Sequence, residues 1–162
     1  MIRVRTKSAD DTRALAAAVA GLLAPGDIVV LAGDLGTGKT VFAKGLARAL
    51  GVAEEVTSPT FILVRTYEGG RLVFVHIDVY RLEHLQEAVD LGLAEILDEG
   101  GVAAIEWGDL VIPVLPADYL EVRLEHGDGD DERRLTLTPV GSRWVGRRDA
   151  LARAVGQWTE EA

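Results

Sequence analysis

The chain contains no cysteine, which excludes a disulfide framework, a thiolate zinc site and a thiol nucleophile. An excess of basic charge is also missing: 17 Lys and Arg stand against 26 Asp and Glu, for a formal net charge of -9. A broad nucleic-acid-binding surface is disfavoured, because phosphate backbones are held mainly by Lys and Arg, although a partner can supply such a surface. No apolar run is long enough to span a membrane. The basic start Met1-Ile2-Arg3-Val4-Arg5-Thr6-Lys7 is not followed by the apolar stretch and small-residue cleavage site of a secretory signal. The three histidines, His76, His84 and His126, lack metal-like spacing. The expectation is a soluble, cytoplasmic protein. At 162 residues, 48% of them hydrophobic, a single domain over 1–162 with a substantial core is expected.

What is present is concentrated in Gly33-Asp34-Leu35-Gly36-Thr37-Gly38-Lys39-Thr40, which matches G-x-x-x-x-G-K-[ST] at every required position. Glycines let successive backbone N–H groups face one anion. The lysine ammonium reaches the outer phosphates, and the threonine hydroxyl can ligate the accompanying magnesium. Both flanks suit the motif: Asp27 to Ala32 reads as a buried strand, and Thr40 to Leu50, ended by Gly51, reads as a helix whose N-terminus favours the same anion.

Elsewhere, Ile2 to Thr6 alternates like a short edge strand. A helix capped by Ser8 follows, with Leu15, Val19, Leu22 and Leu23 at helical spacing, stopped by Pro25-Gly26. In its first turn Thr12 reads as a solvent-facing or capping group. Glu54 to Thr60 is a loop whose Thr57, Ser58 and Thr60 hydroxyls either meet a phosphate or make local turn bonds, the second being the simpler expectation. Phe61–Tyr67 and Leu72–Ile77 read as a hairpin around Glu68-Gly69-Gly70-Arg71. Asp78 then ends an apolar strand, where an aspartate is either a turn or cap residue or, after a phosphate loop, the magnesium-side acid. Strand alternation puts His76 on the face of Asp78, in the site or on the sheet surface. Val79 to Asp98 is helical in pattern with a break near Gly92. The run Val102 to Ile105 ends in Glu106-Trp107, a second strand-end carboxylate with an aromatic at a pocket rim. Pro113 and Pro116 mark an extended connector. Tyr119–Leu124 and Arg134–Thr138 flank an acidic hairpin loop, and Ala150 to Trp158 reads as a final helix.

These elements make a three-layer α/β fold of the P-loop NTPase type: a mixed, mostly parallel sheet with an antiparallel hairpin and helices on both faces, nucleotide sitting at the carboxyl ends of the central strands.

Four motifs in order, Gly33–Thr40, Ser58-Pro59-Thr60-Phe61, His76-Ile77-Asp78-Val79-Tyr80-Arg81 and Glu106-Trp107, resemble those of the TsaE family, formerly YjeE, over about residues 8 to 125. The resemblance implies a bacterial magnesium-dependent ATPase that acts on TsaB and TsaD in making threonylcarbamoyladenosine on tRNAs reading codons that begin with adenine. It touches tRNA only through that complex and turns over slowly alone. The resemblance assigns ATP to Gly33, Asp34, Leu35, Gly36, Thr37, Gly38, Lys39, Thr40 and Val41. It also assigns magnesium to Thr40 and Glu106, and catalysis to Lys39, Asp78 and Glu106. Trp107 is implied near the nucleotide or the partner, and adenine near Thr12 and Arg133 or Arg134. Ser58-Pro59-Thr60 becomes a switch-like loop, and Arg81 is either a candidate arginine finger or an interface residue, a partner completing the site in the second case. The alternatives are a small-molecule kinase, although no arginine-rich lid is evident, and a nucleotide-dependent switch, although no Asn-Lys-x-Asp guanine signature is present.

Overall fold

The computed structural model describes residues 1–57, 64–68 and 70–160. Its strands are β1 (Ile2–Thr6), β2 (Ile28–Ala32), β3 (Val64–Tyr67), β4 (Phe74–Asp78), β5 (Val102–Glu106), β6 (Tyr119–His126) and β7 (Arg133–Val140). The helices are α1 (Ala9–Ala20), α2 (Lys39–Ala49), α3 (Leu85–Asp90), α4 (Leu93–Asp98), α5 (Ser142–Val145) and α6 (Arg148–Ala154). The strands form one seven-stranded sheet in the order β1-β7-β6-β2-β5-β4-β3. Its four central strands, β6, β2, β5 and β4, run parallel, while β3 and the β7-β1 pair are antiparallel additions at the two edges. This is the expected mixed α/β sheet with a parallel centre.

Strand alternation divides the core. Val29 and Leu31 of β2, with Val102 and Ala104 of β5, join α1, α2 and α6 on one face. Ile28, Val30, Ala103 and Ile105 join α3, α4 and the turn of 3-10 helix at Gly108–Val114 on the other. A central strand buried on both faces reads as a continuous apolar run, as β2 does.

Helix α1 starts where Ser8 Oγ accepts the Asp11 N–H at 3.0 Å, relieving one of the unpaired donors of the first turn. It packs closely on α2 at Gly45, where a Cβ would lie 2.8 Å from Ala16 Cβ and from Arg13 O. Phe42 and Leu46, fully buried beneath, each stabilise the layer by roughly 1.5–3 kcal/mol. Among the described residues no helix is long and apolar enough to cross a membrane.

Four expectations change. Residues 79–84 are turns rather than the start of a helix; the helical pattern splits into α3 and α4 around Gly92, whose φ of 80° ends one helix and opens the next. Leu85 and Val89, whose helical spacing with Leu82 predicts a buried apolar face, are exposed, because α3 is six residues long and buries only Ala88. The connector holding Pro113 is a 3-10 helix rather than extended, anchored by buried Val111. The final helix is shorter than read: α6 gives way to a 3-10 turn at Gly156–Trp158.

The turn into β2 is clamped. Asp27 is buried and accepts the Ala24 N–H at 2.7 Å and hydrogen bonds from both terminal nitrogens of the Arg147 guanidinium at 2.6 and 3.2 Å, and it forms an ion pair with Arg143 Nη2 at 3.2 Å. Asp27→Ala is expected to cost about 3 kcal/mol, the low end for a broken buried pair because both guanidiniums can regain water. Thermal unfolding should show this as a fall in midpoint of roughly 6–12 °C.

Candidate phosphate-binding site

Because β4, β5 and β2 are parallel neighbours, their carboxyl ends open on one edge of the sheet, where an α/β fold places its ligands. Register then fixes who meets whom: Leu31 lies beside Glu106, and Glu106 beside Asp78. The loop Gly33–Gly38 leaves β2 at that edge. Gly33 has φ 142°, and a Cβ there would sit 2.3 Å from Leu124 O and 2.8 Å from Thr37 Oγ1, so no side chain fits. Thr37 is buried, and its Oγ1 donates to Asp34 O at 2.8 Å, closing the curl. Arg133 holds the loop from outside, donating from Nε to Thr37 O at 3.1 Å and from Nη2 to Gly36 O at 3.3 Å. Gly38, in the left-handed region at φ 104°, starts α2 without a side-chain cap. The first N–H groups of that helix are therefore left for an anion.

Lys39 is buried. Its Nζ donates to Gly33 O at 2.7 Å and Asp34 O at 2.8 Å, and lies 3.9 Å from the centre of the Trp107 ring. Burial pushes its pKa below the ordinary lysine value, against the pull of Glu106, Asp109, Asp78 and Asp34. Trp107 is placed there by its own backbone. Among the described residues it is the only one other than glycine with positive φ, at 61°, a conformation that turns its ring over Lys39 and beside Tyr80, ring centroids 4.9 Å apart.

Thr40 Oγ1 donates to Glu106 Oε1 at 2.7 Å. Glu106 is buried, and its Oε2 accepts from His76 Nε2 at 2.5 Å. His76 is fully buried, so it belongs to this cluster and not to the sheet surface. Asp78 Oδ1 accepts the Tyr80 N–H at 2.9 Å, the turn-capping contact that the bland reading of a strand-end aspartate expects. Its charge also acts on Lys39. Among the described residues no three His, Asp or Glu gather to hold a metal unaided. One hydroxyl and one carboxylate beside a phosphate loop form a donor set that fits magnesium, which takes its other ligands from phosphates and water.

Two clefts flank the loop. The larger, about 390 Å³, is lined by Gly33, Asp34, Thr37, Trp107, Asp109 and Arg123 among others, within the size range of ligand sites. The smaller, about 50 Å³, is bounded by Ala9, Thr12, Gly38, Val41, Asp131 and Arg133. Thr12, Val41 and Arg133 thus come together. Thr12 is buried rather than solvent-facing, its Oγ1 2.7 Å from Thr6 Oγ1. Arg134 points elsewhere, to Asp128 at 3.2 Å. Leu35 is exposed at the loop tip, and Arg81 is exposed beyond Asp78. Thr57 Oγ1 accepts from Arg65 at 3.3 Å, a side-chain contact eight residues along the chain rather than a local turn bond. Ser58-Pro59-Thr60-Phe61 lies outside the described residues.

Sequence reading missed the Trp107 cover over Lys39 and the His76 contact. The first depends on a positive φ that no tryptophan signals. The second was half visible, in the period-two placement of His76 before Asp78.

The family described as threonylcarbamoyl adenosine biosynthesis protein TsaE matches residues 6–135. Proteins with the name tRNA threonylcarbamoyladenosine biosynthesis protein TsaE are similar along most of the chain. The one from Bacillus subtilis is 41% identical over 94% of both chains. The one from Treponema pallidum is 45% identical over 81% of this chain and 97% of its own. The crystal structure of Bacillus subtilis YdiB superposes with a TM-score of 0.78 at 37% identity, covering 94% of this chain and 97% of that one.

Proposed function

The chain belongs to the TsaE family, and from that membership we propose that it is the ATP-hydrolysing, magnesium-dependent component of the machinery that makes threonylcarbamoyladenosine on tRNA, working in the cytoplasm on TsaB and TsaD. The observation that carries the ATPase reading is the 2.7 Å hydroxyl–carboxylate pair of Thr40 and Glu106 beside a phosphate loop with its buried lysine. A protein that only gripped phosphate would have no need of a buried acid there.

In this reading Lys39 leaves the carbonyls of Gly33 and Asp34 for the terminal phosphates, and the N–H groups opening α2 hold the phosphate oxygens. Thr40 and Glu106 hold the magnesium, which, when bound, neutralises charge on the phosphates. Asp78 orients groups around it, and Trp107 excludes water from the lysine. The cleft of Thr12, Val41 and Arg133 receives the base. The net charge of -9 suits a regulator that docks on protein and leaves the tRNA to its partners.

The test is phosphate release from ATP with and without TsaB and TsaD. Slow release alone and faster release with both is expected. Equal turnover would remove the partner dependence, and transfer of phosphate to a metabolite would favour the kinase alternative.

A further inference from the structure

We infer that His76 is a positioning residue: it fixes the carboxylate of Glu106 so that the opposite oxygen is presented to Thr40 and to the metal. This rests on the magnesium–nucleotide reading of the loop.

The geometry divides one carboxylate between two elements. Oε2 takes the His76 Nε2–H from β4 at 2.5 Å, and Oε1 takes the Thr40 hydroxyl from α2 at 2.7 Å. His76 itself cannot wander. Its backbone is registered with Arg65 on one side and Ala104 on the other, it is 0% exposed, and its ring lies 6.1 Å from that of Phe74. A fixed donor on one oxygen removes the rotation that would otherwise let the carboxylate turn away from the loop. An outer partner of this kind is the usual means of orienting a metal ligand.

The same residue is a poor choice for packing alone. Among the described residues its Nδ1 is buried without a hydrogen-bond partner, a cost that an apolar side chain of similar size would not carry. With no acceptor at Nδ1, the tautomer that suits the site has its proton on Nε2, where Glu106 accepts it. Phe74, one turn of the pleat earlier on the same face, shows that an apolar group is accommodated there. The polar ring at 76 is thus explained by what it does to Glu106.

The test uses the full chain with His76→Leu, His76→Asn and His76→Gln. Leucine removes the donor, asparagine falls short of Glu106, and glutamine can place an amide N–H near the position of Nε2. Binding of a non-hydrolysable ATP analogue is measured by calorimetry, first in chelator and then across a magnesium series. All variants should bind alike in chelator, while the magnesium needed for its half-maximal effect rises about tenfold or more in the leucine and asparagine variants and returns close to the parent value with glutamine. A folded leucine or asparagine variant with the parent's magnesium response overturns the inference, as does a glutamine variant no better than leucine. Should leucine fail to fold, asparagine carries the comparison. A parent that binds no analogue, or binds it without regard to magnesium, overturns the reading of the site and the inference with it.

Discussion

Lys39→Ala is expected to weaken ATP binding on the order of 100-fold, or about 2.7 kcal/mol, as befits the loss of charge-assisted contacts to phosphate. Calorimetry against ATP would measure it, and affinity unchanged within error would remove the loop from the binding site. The fold should survive. Burial dominates the lowered pKa of Lys39, so its ammonium is disfavoured in the folded chain and its removal takes away little Coulombic stability. The linkage has a definite sign. Because the unfolded chain holds that proton more tightly, the parent gains stability as pH rises from the lowered folded value towards the ordinary 10.5. The alanine variant lacks that contribution, so the difference in melting between parent and variant should change with pH only across that window, growing in the parent's favour. Loss of Trp107 packing against the ammonium works in the other direction but is confined to about 0.5–2 kcal/mol.

How much of this was legible beforehand follows from the range of the interactions involved. The phosphate loop and its flanks were readable because their requirements are local: a buried strand, glycines that must take positive φ, and a helix start. The parallel centre of the sheet followed from β2 and β5 being apolar without alternation. Helix limits around 79–98 were not readable, since the pattern of Leu82, Leu85 and Val89 fits a helix while the chain spends residues 79–84 in turns that carry it away from Asp78. The clamp of Asp27 by Arg143 and Arg147 joins positions more than a hundred residues apart, and nothing in local sequence announces it. The site shows both cases. Glu106 could be named from its place at a strand end, but its division between Thr40 and His76 depends on register between β4 and β5, which only the folded sheet supplies.

At saturating magnesium, Glu106→Gln should leave ATP binding within about threefold of the parent while lowering hydrolysis on the order of 100-fold or more, the pattern of an interaction that matters chiefly beyond the ground state. The comparison with Glu106→Ala separates chemistry from architecture. Glutamine can offer its carbonyl to His76 Nε2 and its amide N–H to Thr40 Oγ1, so the two contacts now at 2.5 and 2.7 Å can both be replaced and only the charge is lost. Alanine abandons both. It leaves a buried imidazole N–H without an acceptor, a penalty of about 1–3 kcal/mol, and its melting midpoint should fall by roughly 2–12 °C while glutamine stays near the parent. Hydrolysis, by contrast, should fall in both. Phosphate release under single-turnover conditions, alongside nucleotide binding and thermal melts, distinguishes the cases. Parent-like hydrolysis in the glutamine variant would reject a metal-binding role for the charge. Loss of hydrolysis in alanine alone would mean that Glu106 serves to hold Thr40 and His76 in place, and that the metal finds its protein ligands elsewhere along the same edge of the sheet.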